Sequence, residues 1–195
     1  MSRARAEMIE DTRARLIASA RQAFATQGYA NTSMDDFTAR AGLTRGALYH
    51  HFGDKKGLLA AVVAQLDSEM DARLQRITEQ ALDPWAGFCE RCQTYLRMAQ
   101  DSEIQRIVLQ DAPAVLGDSG AQQHCVASLS QLLEALMQAG VIHPVPSQAL
   151  AQLINGSLVS TALWIARDED PDARLKEGLL GLELLLRGLT VTPTA

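Results

Sequence analysis

Apolar residues return every three or four positions along this chain, and nowhere do they alternate with polar ones over the length of a strand. That period predicts helices from end to end. Leu16, Ile17, Ala20, Ala23 and Phe24 share one face of a helix over 12–27, and Gly28 suits the position past its end, where a positive φ is wanted. Ser33 can cap a short helix over 34–41, with Asp36 three residues on as an imperfect capping box. Gly42 stops that helix, and a second short one follows over 45–51. Asp54 is placed to cap a long helix over 55–80.

The rest of the chain continues in the same way. Asp83-Pro84 joins a cap to a proline at the first helical position, opening a helix to about Ala99. A helix over 102–111 is ended or interrupted by Pro113. Asp118-Ser119 opens a helix to Ala139, closed by Gly140, and the rigid stretch His143-Pro144-Val145-Pro146 leads to another, capped by Ser147 and reaching Arg167. Asp170-Pro171 starts the last, which ends near Leu189 before a frayed tail. The expected fold is all-α with about nine helices, divided into an N-terminal three-helix domain over 1–54 and a helical body over 55–195.

Within 37–52, two short helices flank the three-residue turn Gly42-Leu43-Thr44. Phe37, Ala41, Leu43, Leu48 and Phe52 can bury against the first helix. That is the spacing of a helix-turn-helix, whose second helix projects from a rigid core into a major groove, and it is also the spacing of an ordinary helical hairpin. The exposed face of the second helix offers Thr44, Arg45, Gly46, Tyr49 and His50. Gly46 costs about 1 kcal/mol against Ala inside a helix, which a close approach to a DNA backbone would justify. Arg45 can pair with a guanine edge or a phosphate, and Lys55 can reach a phosphate beside the next helix N-terminus.

Charge sharpens this picture. The chain of 195 residues carries a net charge of −5, which by itself argues against nucleic acid. Residues 1–60, however, hold nine Lys/Arg against six Asp/Glu, while residues 61–195 hold nine against seventeen. A basic head on an acidic body suits a protein that touches phosphates with one end. Arg3 and Arg5 extend that basic end as a solvated tail or a minor-groove arm. No stretch approaches the ~18–20 uninterrupted apolar residues of a membrane span, and no apolar run follows the basic start as in a secretory signal. Three cysteines are not a disulfide framework, so a cytoplasmic protein is expected.

The stretch 12–59 resembles the DNA-binding domain of the TetR family of bacterial repressors. The resemblance is carried by Phe24-x-x-x-Gly28-Tyr29, by Thr32-Ser33-Met34, by the unbroken run from Ala41 to Phe52, and by Lys55-x-x-Leu58-Leu59. It implies that Thr44, Arg45, Ala47, Tyr49 and His50 face bases or backbone in the major groove, and that Ser33 and Lys55 fix phosphates. Thr38 departs from helix-turn-helix patterns, which usually have Ala there; its hydroxyl can bond back to the Met34 carbonyl.

The last two helices are wide in their apolar faces. Leu150, Leu153, Ile154, Ser157, Leu158, Thr161, Ala162 and Ile165 follow the helical period, as do Leu175, Leu179, Leu182, Leu186 and Leu189, with Leu180, Leu184 and Leu185 widening the second stripe. Such width suggests burial beyond the chain's own core. The family resemblance implies a homodimer through these helices, and Leu158, Thr161, Ile165, Leu179, Leu182 and Leu186 are the expected interface. A two-fold dimer implies a palindromic operator in double-stranded DNA, with recognition helices about 34–36 Å apart. Trp85, Phe88, Cys92, Tyr95, Met98, Leu109, Leu129 and Trp164 can line an apolar cavity or simply fill a core. The resemblance implies a pocket there for a small-molecule effector, whose binding shifts the 55–80 helix and releases the operator.

Cys89 and Cys92 lie one turn apart, and His124-Cys125 adds a second pair of soft ligands, so a metal- or redox-responsive regulator is the alternative. A helical-bundle enzyme or carrier is the remoter one. The chain has no phosphate loop, H-E-x-x-H or carboxylate-rich metal pattern, and neither catalysis nor a cofactor is expected.

Overall fold

The computed structural model describes residues 3–117 and 121–191. Among them run nine α-helices: α1 (Arg3–Gln27), α2 (Met34–Ala41), α3 (Arg45–Phe52), α4 (Lys55–Gln80), α5 (Pro84–Met98), α6 (Ala112–Leu116), α7 (Ala121–Gln138), α8 (Ser147–Ala166) and α9 (Pro171–Arg187). A π-helical segment, Ile104–Asp111, leads into α6.

Local chemistry explains most of these limits. Ser33 Oγ accepts from the Asp36 N–H while the Asp36 carboxylate accepts from the Ser33 N–H at 2.8 Å, a complete capping box. Gly42 ends α2 in the left-handed region at φ 62°, where a Cβ would be strained. Asp54 Oδ1 accepts from the Gly57 N–H at 2.7 Å, Asp83 caps α5 through Trp85 and Ala86, and Asp170 caps α9 through Ala173.

Other limits differ from expectation. α1 starts earlier, at Arg3, although the side chains of Arg3 and Arg5 lie outside the described residues, as does the Asp118-Ser119 opening. Pro113 interrupts the regular winding without breaking the coil: the π-helical segment runs directly into α6, and Pro113 is the second residue of α6. Ser147 is the first residue of α8 and not its cap; its hydroxyl pairs with Ser130 Oγ at 3.0 Å. Thr190 and Val191 are tied back in a short antiparallel bridge, with the His143 N–H on the Leu189 carbonyl and the Val191 N–H on the Val141 carbonyl, both at 3.1 Å. The tail beyond Val191 lies outside the described residues.

The chain divides into two compact units, Met1–Ser68 with Ser102–Asp118, and Glu69–Asp101 with Ser119–Ala195, so the boundary falls within α4 and not at its start. In the first unit, Leu16, Ile17, Ala20, Ala23 and Phe24 of α1 are buried against Phe37, Leu48 and the α4 residues Leu58, Leu59, Val62, Val63 and Leu66. Phe24 and Phe37 meet edge to face, with centroids 5.1 Å apart. Ile107 and Ala112 complete this core from the distant 102–118 segment. Polar ties hold the segment there: Arg21 grips Glu103 with bonds of 2.6 and 2.7 Å, and Asp111 accepts from the Tyr29 N–H at 2.8 Å. Arg106 lies over Gly28, and its flexible guanidinium would have to swing aside for a Cβ there; the φ of 77° is what asks for glycine. In the second unit, α5 packs against α7, α8 and α9, burying Phe88, Leu96, Leu133, Ile154, Ile165 and Leu186.

Candidate nucleic-acid interface

Leu48 anchors α3 in the core with no exposed surface, which fixes the direction of every other side chain on that helix. Thr44, Arg45, Gly46, Tyr49 and His50 face outward, and Ala47 is half-buried at the flank. Thr44 also caps α3 through the Ala47 N–H at 3.3 Å. A Cβ on Gly46 would meet nothing closer than Thr44 Oγ1, at 3.8 Å, so no internal packing asks for glycine there. His51 is half-buried between the rings of His50 and Phe52.

The turn is braced from α1 and α2. Arg15 donates to the Ala41 carbonyl at 2.6 Å, and Ser19 to the Phe37 carbonyl at 3.1 Å. The Thr38 hydroxyl bonds back to the Met34 and Asp35 carbonyls, at 3.3 and 3.1 Å, which satisfies it in a nearly closed position. Arg45 is not free: both Nε and Nη2 donate to the Asp35 carboxylate, an exposed two-pronged ion pair that holds the guanidinium at the outer face. Asp35 raises the arginine's already high pKa further. Sequence reading missed Asp35, because ten residues and a turn separate the partners.

Ser33 is exposed beside this face. Lys55 is more committed than expected. Its Nζ donates to the Thr32 carbonyl and lies 4.3 Å from the centroid of the Tyr29 ring, and burial pulls its pKa down. It staples the start of α4 to the loop before α2.

Comparison with known proteins decides what this geometry belongs to. The model of bacterial regulatory proteins of the tetR family matches residues 16–62, and that of tetracyclin repressor-like C-terminal domains matches residues 85–189. The chain belongs to the TetR family. A TetR-family transcriptional regulator from Pectobacterium atrosepticum shares 58% identity across 100% of both chains, with a TM-score of 0.90. The transposon Tn10 TetC protein of Escherichia coli is 27% identical over 80% of this chain and 81% of its own length. The regulator TtgR of Pseudomonas putida is 35% identical over 55% of this chain and 52% of its own. The protein is thus a DNA-binding transcriptional regulator.

In the TetR body, the residues expected to meet a partner divide into two sets. Leu158, Ile165, Leu182 and Leu186 are buried in the protomer's own core, while Thr161 and Leu179 are half-buried. The surface left open is another stripe: Leu153, Ser157, Ser160 and Trp164 on α8, and Leu180, Gly181, Leu184 and Leu185 on α9. Both helices carry more than one apolar stripe, and sequence alone could not say which stripe meets the chain's own core. α8 is long and apolar enough to cross a bilayer by length and composition, yet a third of that window is buried and its inner stripe packs on α5, α7 and α9.

Of the residues expected to line an effector cavity, Phe88, Cys92, Met98 and Leu129 are buried in the second unit and Trp85 and Tyr95 are half-buried there. Leu109 is buried in the first unit, and Trp164 is exposed, with the Arg174 guanidinium 5.0 Å over its ring. Among the described residues the cysteines form no disulfide. Burial pushes Cys89 up to about 11 and Cys92 up to about 12, so neither offers a ready thiolate. His124 turns to Asp71, at 3.6 Å, and no group of three or more His, Cys, Asp or Glu suited to a metal ion occurs among the described residues.

Proposed function

We propose that the protein is a cytoplasmic homodimeric repressor that sets α3 of each protomer in successive major grooves of a palindromic operator, and that a small-molecule effector bound within residues 55–195 releases it. The carrying observation is the outward face of α3, where Thr44, Arg45, Gly46, Tyr49 and His50 project from a helix pinned by Leu48. Arg45 and Tyr49 read or grip the groove, and Ser33, Ala47 and Lys55 approach the backbone; Lys55 does so by exchanging its hold on Thr32. The open stripe of Leu153, Trp164, Leu180, Leu184 and Leu185 is the dimer contact, since five large apolar side chains left in water disfavour a lone protomer. Effector binding acts by favouring the conformation with lower operator affinity, through α4, the helix that contains the boundary between the two units.

Selection of bound sequences from random DNA tests the reading, with Arg45→Ala/Tyr49→Ala as the control. A palindrome recovered by the wild type and lost in the double variant is the expected result. Enrichment of no motif by a folded dimer would remove the claim of sequence reading.

A further inference from the structure

The buried face of α5 carries Gly87, Phe88, Arg91, Cys92, Thr94 and Met98. Arg91 is the only charge among them, and it keeps just 6% of its surface. Among the described residues its one hydrogen bond runs from Nη2 to Ser128 Oγ on α7, at a long 3.3 Å. Asp71 is the acid whose charge it feels, but that carboxylate makes its 3.6 Å contact with His124. No buried side-chain nitrogen or oxygen among the described residues lacks a partner. Nε and Nη1 of Arg91 make no hydrogen bond among the described residues, so neither is fully closed off and both donors are unused within the protomer.

A guanidinium largely withdrawn from water and bonded to one hydroxyl is costly, because the charge of Asp71 acts on it without a hydrogen bond and only partly offsets its lost hydration. Its planar fork fits a carboxylate in two parallel bonds. The neighbours on its helix, Phe88 and Cys92, are apolar, and a single cation offsets a monoanion better than a dianionic phosphate. We infer that Arg91 is an anion anchor in the body, and that the effector is a small carboxylic acid with an apolar frame. This rests on the effector reading above and adds the chemical class of the ligand.

The test uses the full chain. Thermal unfolding is followed for the wild type, Arg91→Met, Arg91→Lys and Ser128→Ala, each with phenylacetate, octanoate and salicylate and with the three corresponding amides; operator retention is measured alongside. Without ligand, Arg91→Met melts at or above the wild type, because a poorly compensated charge is gone. At least one acid, at about 100 times its Kd, raises the wild-type Tm by several degrees and weakens operator retention, while its amide does neither. That shift vanishes in Arg91→Met and returns in part in Arg91→Lys. Amides acting as well as acids would overturn the anchor and leave the effector reading standing. A less stable Arg91→Met together with no response to any acid would overturn the anchor as a merely structural arginine. Operator retention unchanged by every acid and amide would overturn the anchor and count against the effector reading too.

Discussion

Arg45 meets DNA as a residue already in an ion pair. Both members are largely exposed, so the pair with Asp35 adds little to stability, but it sets where the guanidinium starts. Arg45→Ala is expected to weaken specific operator binding by about 1–3 kcal/mol, or roughly 5- to 150-fold, in a titration at fixed salt. Asp35→Asn is expected to leave the melting curve nearly unchanged while broadening the base preference at the position Arg45 reads. Asp36 makes a different prediction. Its bonds with Ser33 lower its pKa in the folded protein, so its contribution is present above the unfolded carboxylate's pKa and is lost as pH falls through the lower folded value. Asp36→Asn should therefore destabilise at neutral pH and flatten the acid limb below about pH 4, as read by thermal unfolding across pH. Ser33, Asp36 and the α3 face were legible because caps and helical period are local. Asp35 as the partner of Arg45, and Lys55 as a staple on Thr32 and Tyr29, were not, because both contacts cross a turn or a loop.

At the scale of elements, the helix-turn-helix depends on one backbone conformation. Gly42 holds φ 62° between α2 and α3, and its N–H closes α2 on the Ala39 carbonyl. Gly42→Ala keeps those bonds only in the left-handed region, at a cost of about 1–2 kcal/mol. The expected outcome is a lower denaturation midpoint together with weakened DNA binding, measured on the same preparation. Helices opened by Asp-Pro, α5 and α9, were readable almost to the residue. The segment before α6 was not: apolar spacing announces a helix but does not distinguish α from π winding.

At the scale of the whole molecule, the outer stripe of α8 and α9 carries the proposed two-fold assembly. Leu180 and Leu184 are 69% and 73% exposed, so replacing both with Glu removes no protomer core and places four charges in the dimer contact. The double variant is expected to sediment as a monomer with unchanged helical content and to lose operator affinity far more than a single half-site mismatch would. A variant that stayed dimeric would move the interface elsewhere.

The amino-acid sequence determined the helical class, most helix limits, the helix-turn-helix and the outward face of α3. Each follows from rules that act within a turn or two: the 3.6-residue period, side-chain caps and a glycine at positive φ. Tertiary structure alone decided that 102–118 joins the DNA-binding unit, which stripe of α8 and α9 stays open, and that Arg91 lies nearly closed off with a single long hydrogen bond. Those outcomes depend on partners brought together from distant parts of the chain, and a periodic pattern of apolar residues states that a face is buried without stating against what.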